Sequence, residues 1–309
     1  MADESPAGRH LGLDLGGTNI KWVVIQQADD GLKTLARGQV ATDAEAGPEG
    51  VVARMVDVAK EAVDREPAIS SLGVGVPGLY DPATGATRML PNLPGQWGGM
   101  PVAARVRDTL GVPVHLINDA RAFGLAELRL GAGRGAGSMV GLTLGTGVGG
   151  VIAMDGRVRQ GHDGTAGELG HQTIEPDGPW CGCGNRGCLE AFVRADQIAQ
   201  VCGTASAAEA IAQARTGDEA ARRGLTEIGR YLGIGIANMI TIFTPERVVI
   251  GGGLAAALDL LYEPIEREVR RRVRTTSVDA VEIVAAQLGT WAGAIGASVH
   301  AAEGGARPE

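Results

Sequence analysis

Aromatic side chains are scarce, at 3% of the 309 residues. A core with so few of them must be aliphatic and alanine-rich, and 44% hydrophobic residues are enough to build a sizeable one. Long apolar runs are also missing. None reaches the roughly 20 residues that cross a bilayer, so no membrane partner is expected. A basic surplus is absent, and the formal net charge is -8. Nucleic-acid binding leaves a basic footprint, so no nucleic-acid partner is expected either. The stretch from Met1 to Arg9 is polar and lacks the apolar segment of a secretory leader, which points to the cytoplasm. Cysteines number only four. In a reducing compartment their thiols stay available for metal.

Glycine, by contrast, is abundant at 49 residues. The glycines follow no collagen period and gather in short runs, which suggests tight phosphate-type turns. The richest run is Gly164 to Glu190, where three of the four cysteines fall within ten residues: Cys181, Cys183 and Cys188. His171 lies just upstream. Three thiolates and one imidazole complete a tetrahedral zinc shell with no position left for a reacting water, so such a zinc would be structural. Gly182, Gly184 and Gly187 permit the tight turns that these spacings demand. Glu168 precedes the cluster and Glu190 follows it, so the metal would pin both acids. A glycine-rich loop with incidental cysteines, or a disulfide, is the plainer alternative.

In chain order, residues 1–8 read as a disordered start. Residues 10–25 read as two strands around a Gly-Gly turn. Asp14, Gly16, Gly17 and Thr18 sit at its tip. Small residues there let backbone N–H groups approach a phosphate, Thr18 adds a hydroxyl, and Asp14 could hold magnesium through water. An ordinary hairpin turn remains the alternative. A third strand is expected at 33–41. Pro48 opens a helix whose apolar positions run from Val51 to Val63. Ile69 to Val76 is a buried strand ended by Pro77-Gly78. Residues 79–100 show no periodic element and read as a long functional loop holding Asn92 and Trp97.

A helix at about 101–110 and a strand from Val114 to Ile117 follow. That strand delivers Asn118-Asp119 at its C-terminal end, where open α/β sheets bind ligands. Asp119 is either the N-cap of the next helix, about 120–130, or a general base beside an orienting amide. Met139 to Leu144, the turn Gly145-Thr146-Gly147-Val148-Gly149-Gly150 and Val151 to Met154 repeat the first hairpin's layout. Two similar halves are therefore expected. A long helix carrying Leu225, Ile228, Leu232, Ile236, Met239, Ile240 and Phe243 is stopped by Pro245. Val248 to Ile250 then leads through Gly251-Gly252-Gly253 into a helix reaching about 273. This glycine run suits a nucleotide, or is a plain tight turn. A strand at 281–285, a helix at about 290–302 and a frayed end at 304–309 complete the chain.

The motifs Asp14-Leu-Gly-Gly-Thr-Asn-Ile-Lys21, Gly75-Val-Pro-Gly78, Asn118-Asp-Ala120, Leu144-Gly-Thr-Gly-Val-Gly-Gly150, Gly167-Glu-Leu-Gly-His171, Cys181-Gly-Cys-Gly-Asn-Arg-Gly-Cys-Leu-Glu190 and Gly251-Gly-Gly253 resemble those of the ROK family of repressors, open reading frames and sugar kinases. Within it they are closest to bacterial ATP-dependent glucokinases. The resemblance covers nearly the whole chain. It implies an α/β, actin-like ATPase (ribonuclease-H-like) fold of two α/β domains with an interdomain cleft. The smaller domain would hold 1–119 plus about 290–309, and the larger 120–289.

The resemblance further implies ATP, Mg2+ and structural Zn2+ as cofactors, a sugar as substrate, and a homodimer or higher homo-oligomer. It places sugar contacts at Gly78, Asn92, Asn118, Asp119, Glu168, His171 and Glu190, with Asp119 as catalytic base. ATP contacts would come from Asp14, Gly16, Gly17, Thr18, Asn19, Gly145, Thr146, Gly147, Gly252 and Gly253. The metal ligands would be His171, Cys181, Cys183 and Cys188, with a zinc effect falling on sugar more than on ATP. One departure stands out: Arg121 replaces the asparagine often found after Asn-Asp-Ala. Only 13 residues precede Asp14, too few for a helix-turn-helix, so a sugar-sensing repressor is the weaker expectation.

Overall fold

The computed structural model describes residues 8–28 and 31–305. Of the stretches 1–8 and 304–309, read above as disordered and frayed, residues 1–7 and 306–309 lie outside them. The chain forms two compact units: Met1–Leu130 with Gln160–Ala166 and Thr290–Glu309, and Gly131–Arg159 with Gly167–Gly289.

In the first unit, β1 (Arg9–Leu15) and β2 (Asn19–Ala28) form the expected hairpin, and β3 (Gly31–Ala41) extends it. Leu11, Leu13 and Leu15 alternate along β1 and are almost fully buried. Helix α1 (Gly47–Arg65) starts with proline in its first turn and buries Val51, Val52, Met55, Val58, Ala59 and Ala62. Strand β4 (Ile69–Val76) then joins β1 in parallel, with Asp14 opposite Gly75. The following stretch is not a plain loop. Its first part forms a small hairpin, β5 (Leu79–Asp81) and β6 (Ala86–Met89). Runs this short carry no readable period. The turn between them is set by Asp81, whose carboxylate accepts the Ala83 N–H at 2.9 Å. Helix α2 (Val102–Leu110) leads to β7 (Val114–Asn118), which pairs in parallel with β4 so that Asn118 lies beside Val76. Helix α3 (Asp119–Leu130) starts directly from that strand.

The second unit repeats the plan. Strands β8 (Met139–Leu144), β9 (Val148–Met154) and β10 (Arg157–Val158) form a meander, each antiparallel to the next. The metal stretch follows, then α4 (Glu190–Val193), α5 (Ala195–Cys202) and α6 (Ala207–Thr216). Helix α7 (Glu219–Phe243) is capped by Asp218, which accepts the Ala221 N–H at 2.8 Å. It ends at Thr244, left-handed at φ 42° and just before Pro245. Strand β11 (Arg247–Gly252), helix α8 (Leu258–Arg272) and β12 (Glu282–Ala285) complete the unit. Helices α7 and α8 pack closely: a Cβ on Gly229 would meet Pro264 at 2.5 Å.

The strand orders are β3-β2-β1-β4-β7 and β10-β9-β8-β11-β12. In both sheets an antiparallel leading set is followed by two parallel strands, as the repeated hairpin layout predicts.

Helix α9 (Ala292–Ala302) returns to the first sheet. Its backbone lies so close to β1 and β4 that a Cβ on Gly12 would fall 2.0 Å from the Ala294 oxygen, and one on Gly73 would fall 1.9 Å from that of Ala297. It also packs on α3, where Gly296 meets the Ala122 carbonyl. This packing places α3 in the first unit, beyond the sequence boundary at 119/120.

Candidate active site and metal centre

The C-terminal edge of the first sheet gathers Asp14, Gly78, Asn118 and Asp119, because β1, β4 and β7 run parallel and end together. Asp14 is half-buried and faces Lys21 across the hairpin. The Lys21 ammonium donates to the Thr290 carbonyl at 2.8 Å. Burial pushes the Asp14 carboxyl up to about 6, and the Lys21 charge opposes that shift. The first turn of α9 comes so close that a Cβ on Gly293 would fall 2.5 Å from Asp14 Oδ2. A carboxylate raised this far despite the Lys21 charge still gains from a further cation, so the site suits a hard metal ion.

The first glycine turn is closed by the Gly16 N–H donating to the Asn19 carbonyl at 3.0 Å. Gly17 and Thr18 are exposed at its tip. Thr42 fastens the turn from below: its hydroxyl donates to the Gly16 carbonyl at 2.6 Å and its N–H to that of Thr18 at 2.9 Å. Sequence reading missed Thr42, since a lone threonine after a strand carries no local signal. Asn92 is exposed, and its carbonyl lies 3.0 Å from where a Gly17 Cβ would stand. Its loop is held by Trp97, which donates to the Pro94 carbonyl at 3.1 Å.

Asn118 ties this edge together. Its amide donates to the Gly78 carbonyl at 3.2 Å, and Gly78 takes φ +123°, a conformation that favours glycine. Asn118 Oδ1 accepts the N–H groups of Ala120 at 3.0 Å and Arg121 at 3.2 Å. The cap at α3 is therefore largely the asparagine's, where the sequence allowed it to Asp119. Asp119 Oδ1 shares the Ala120 N–H at 2.8 Å.

In the second unit the Gly145 N–H donates to the Gly147 carbonyl at 3.0 Å, and the Gly145 carbonyl accepts the Ala195 N–H at 2.8 Å. Thr146 is exposed at the tip. Gly252 stands beside Leu144 in the sheet register at φ +80°, and a Cβ there would fall 2.3 Å from the Leu144 carbonyl. Gly253 opens a single 3-10 turn with free space around it. These two glycine stretches are neighbours on one sheet edge.

The ligand atoms of His171, Cys181, Cys183 and Cys188 all lie within 4.8 Å of one another. His171 presents Nδ1, 3.6 Å from Cys181 Sγ, and Cys183 Sγ is 3.7 Å from Cys188 Sγ. Bonds of about 2.3 Å to sulfur and 2.0 Å to nitrogen place tetrahedral ligands roughly 3.5–3.8 Å apart, so the cage fits zinc. The cysteines are free thiols, which disposes of the disulfide alternative. Burial pushes the Cys181 thiol up to about 12, whereas a backbone N–H from Asn185 draws Cys183 down. A dication would supply what Cys181 needs to ionise.

Glu168 is exposed and precedes the single turn Leu169–His171. Glu190 does more than follow the cage. Its Oε1 lies 3.3 Å from Cys181 Sγ, and its Oε2 accepts the Val148 N–H at 2.8 Å. A Cβ on Gly147 would press on the same oxygen at 2.7 Å. One carboxylate thus joins the metal cage to the second glycine turn.

Two sheets of one topology, each led by a glycine-turn hairpin, define an actin-like ATPase fold of the kind found in sugar kinases. The chain belongs to the ROK family, whose sequence profile matches residues 10–303. It is 36% identical to a glucokinase of Thermotoga maritima, over 95% of this chain and 97% of that protein. It is similar to a ROK hexokinase from Thermus thermophilus, with TM-score 0.85, 35% identity and coverage of 96% of this chain and 98% of that one. It is also similar to a ROK glucokinase from Streptomyces griseus in complex with glucose and AMPPNP, with TM-score 0.80, 30% identity and coverage of 96% and 100%. Among the described residues no helix is long and apolar enough to cross a membrane.

A stability test follows from Asp14. A carboxyl raised to about 6 weakens folding as pH climbs from its ordinary range through 6, and the penalty is complete above. D14N removes it. At pH 8 the variant should be more stable by about 1–2 kcal/mol, after discounting for partial exposure. The difference should shrink as pH falls through 6 and close only at about pH 3.5, below the ordinary carboxyl value. A thermal-melt difference that is equal at both pH values would contradict the assignment.

Proposed function

We propose that this chain transfers the γ-phosphoryl group of ATP to the 6-hydroxyl of glucose. The observation that carries the reading is the edge where Asp14, Gly78, Asn118 and Asp119 end three parallel strands together. Asp119 would accept the hydroxyl proton as the phosphoryl group arrives. The turns at Gly16–Asn19 and Gly145–Gly147, with Gly252 and Gly253, would present backbone N–H groups to the phosphates. Magnesium at Asp14 would neutralise charge on the transferred group. Asn92, Asn118, Glu168 and Glu190 would take the remaining hydroxyls, since carboxylates accept from two at once. His171, with Nδ1 on the metal, would offer its other nitrogen to the sugar. Zinc in the Cys3His cage would hold geometry only. The glucokinase relatives support glucose over other hexoses.

A kinetic panel tests this. Glucose, mannose, fructose, N-acetylglucosamine and N-acetylmannosamine are compared with ATP and Mg2+, and glucose also with polyphosphate. Glucose with ATP should give the highest kcat/KM. Glucose and mannose differ only at C2, so their ratio reports whether the site pairs that hydroxyl. A higher value for an N-acetylated hexosamine would overturn the choice of sugar. Sugar binding without turnover would favour a sensor.

A further inference from the structure

Arg121 is the largest of the fully buried side chains, at 1% exposure. A guanidinium cannot shed its charge, so burying one is costly unless it does specific work. Its Nε donates to the Ala166 carbonyl at 2.8 Å. Ala166 ends the short segment Gln160–Ala166, which packs with the first unit although the chain on both sides of it belongs to the second. The segment is closed on itself by the Ala166 N–H donating to the Gln160 carbonyl at 2.9 Å. The Arg121 charge also acts on the buried Tyr80 phenol, opposing the burial that pushes it up to about 12.

The three chain segments around this guanidinium are those of the proposed site. Tyr80 stands two residues after Gly78, Arg121 two after Asp119, and Ala166 two before Glu168. The arginine's own backbone N–H is bound by Asn118. We infer that Arg121 is a positioning residue: it fixes the Gly78, Asn118–Asp119 and Ala166 segments to one another and so sets acceptor-sugar binding and discrimination. This rests on the hexose-kinase reading. An asparagine, with its shorter side chain, could not extend as far from the helix backbone, so this chain tunes its acceptor site where the common family residue would not.

The test compares wild type with R121M, R121N and R121K over the hexose panel. Zinc content and thermal melting are measured on each. R121M and R121N should lose roughly 10- to 100-fold in kcat/KM for the best sugar, as small misplacements do. The KM for ATP should stay within about threefold on the same argument. The ratio of kcat/KM between best and second-best hexose should shrink. R121K, which keeps a buried cation and a donor, should recover part of both losses and serves if the other two fold poorly. Unaltered sugar kinetics in R121M, from a folded and zinc-loaded protein, would overturn the inference. So would equal rises in both KM values without loss of discrimination, which is the mark of a purely structural role. A wild-type chain inactive on every hexose would instead remove the reading beneath it, and the inference with it.

Discussion

D119N should lower kcat by roughly 10²–10⁴-fold, the range for losing a general base. The substitution keeps shape and removes only the basic oxygen. The strand end and the α3 cap should survive it, because Asn118 supplies the cap through the N–H groups of Ala120 and Arg121. Sugar KM should change little, since the new amide still forms hydrogen bonds. The melting temperature should stay near wild type for the same reason. Steady-state kinetics at saturating sugar and ATP check this. A variant with near-wild-type kcat would remove Asp119 from the chemistry. A variant that unfolds would show that the side chain's capping share, the Ala120 N–H at 2.8 Å, matters more than argued.

The second large effect is expected from breaking the metal cage. C183A removes one of four ligands gathered within 4.8 Å. Binding free energy at a structural zinc site is also folding free energy, so local melting should accompany metal loss. Elemental analysis should give about one zinc per wild-type chain and much less in the variant. Sugar KM should rise roughly tenfold or more, because His171 and Glu190 lose their anchor. The sequence alone suggests a smaller direct effect on the KM for ATP. The tie from Glu190 to the Val148 N–H changes that expectation. The second glycine turn is braced by the same carboxylate, so KM for ATP should rise with that for sugar. Metal-free protein with full activity, or C183A with unaltered kinetics, would refute the structural role.

What could be read early follows from the range of the forces involved. Buried strands around glycine turns announce themselves through alternating or continuous apolar runs. The cysteine motif is legible because thiolate and imidazole chemistry demand close spacing in the chain. The repeated hairpin pointed to two like sheets, and their strand orders agree. Contacts between distant segments left no such mark. The hydroxyl of Thr42 reaches Gly16 across the sheet end, and nothing local distinguishes it from any other threonine. The hairpin of β5 and β6 is too short for a period. The Ala166 acceptor of Arg121 is a backbone carbonyl, which has no sequence signature at all. The cap moved from Asp119 to Asn118 because the helix begins at Asp119, directly after the strand's last residue.

The central claim is a chemical one, and the product tests it most directly. Purified protein is incubated with ATP, Mg2+ and glucose, and phosphorus and carbon NMR follow the mixture to completion. The account predicts one ADP formed per sugar phosphate and a single product carrying phosphate on the 6-hydroxyl. Phosphate at another hydroxyl, or ATP hydrolysis to inorganic phosphate with the sugar unchanged, would contradict it.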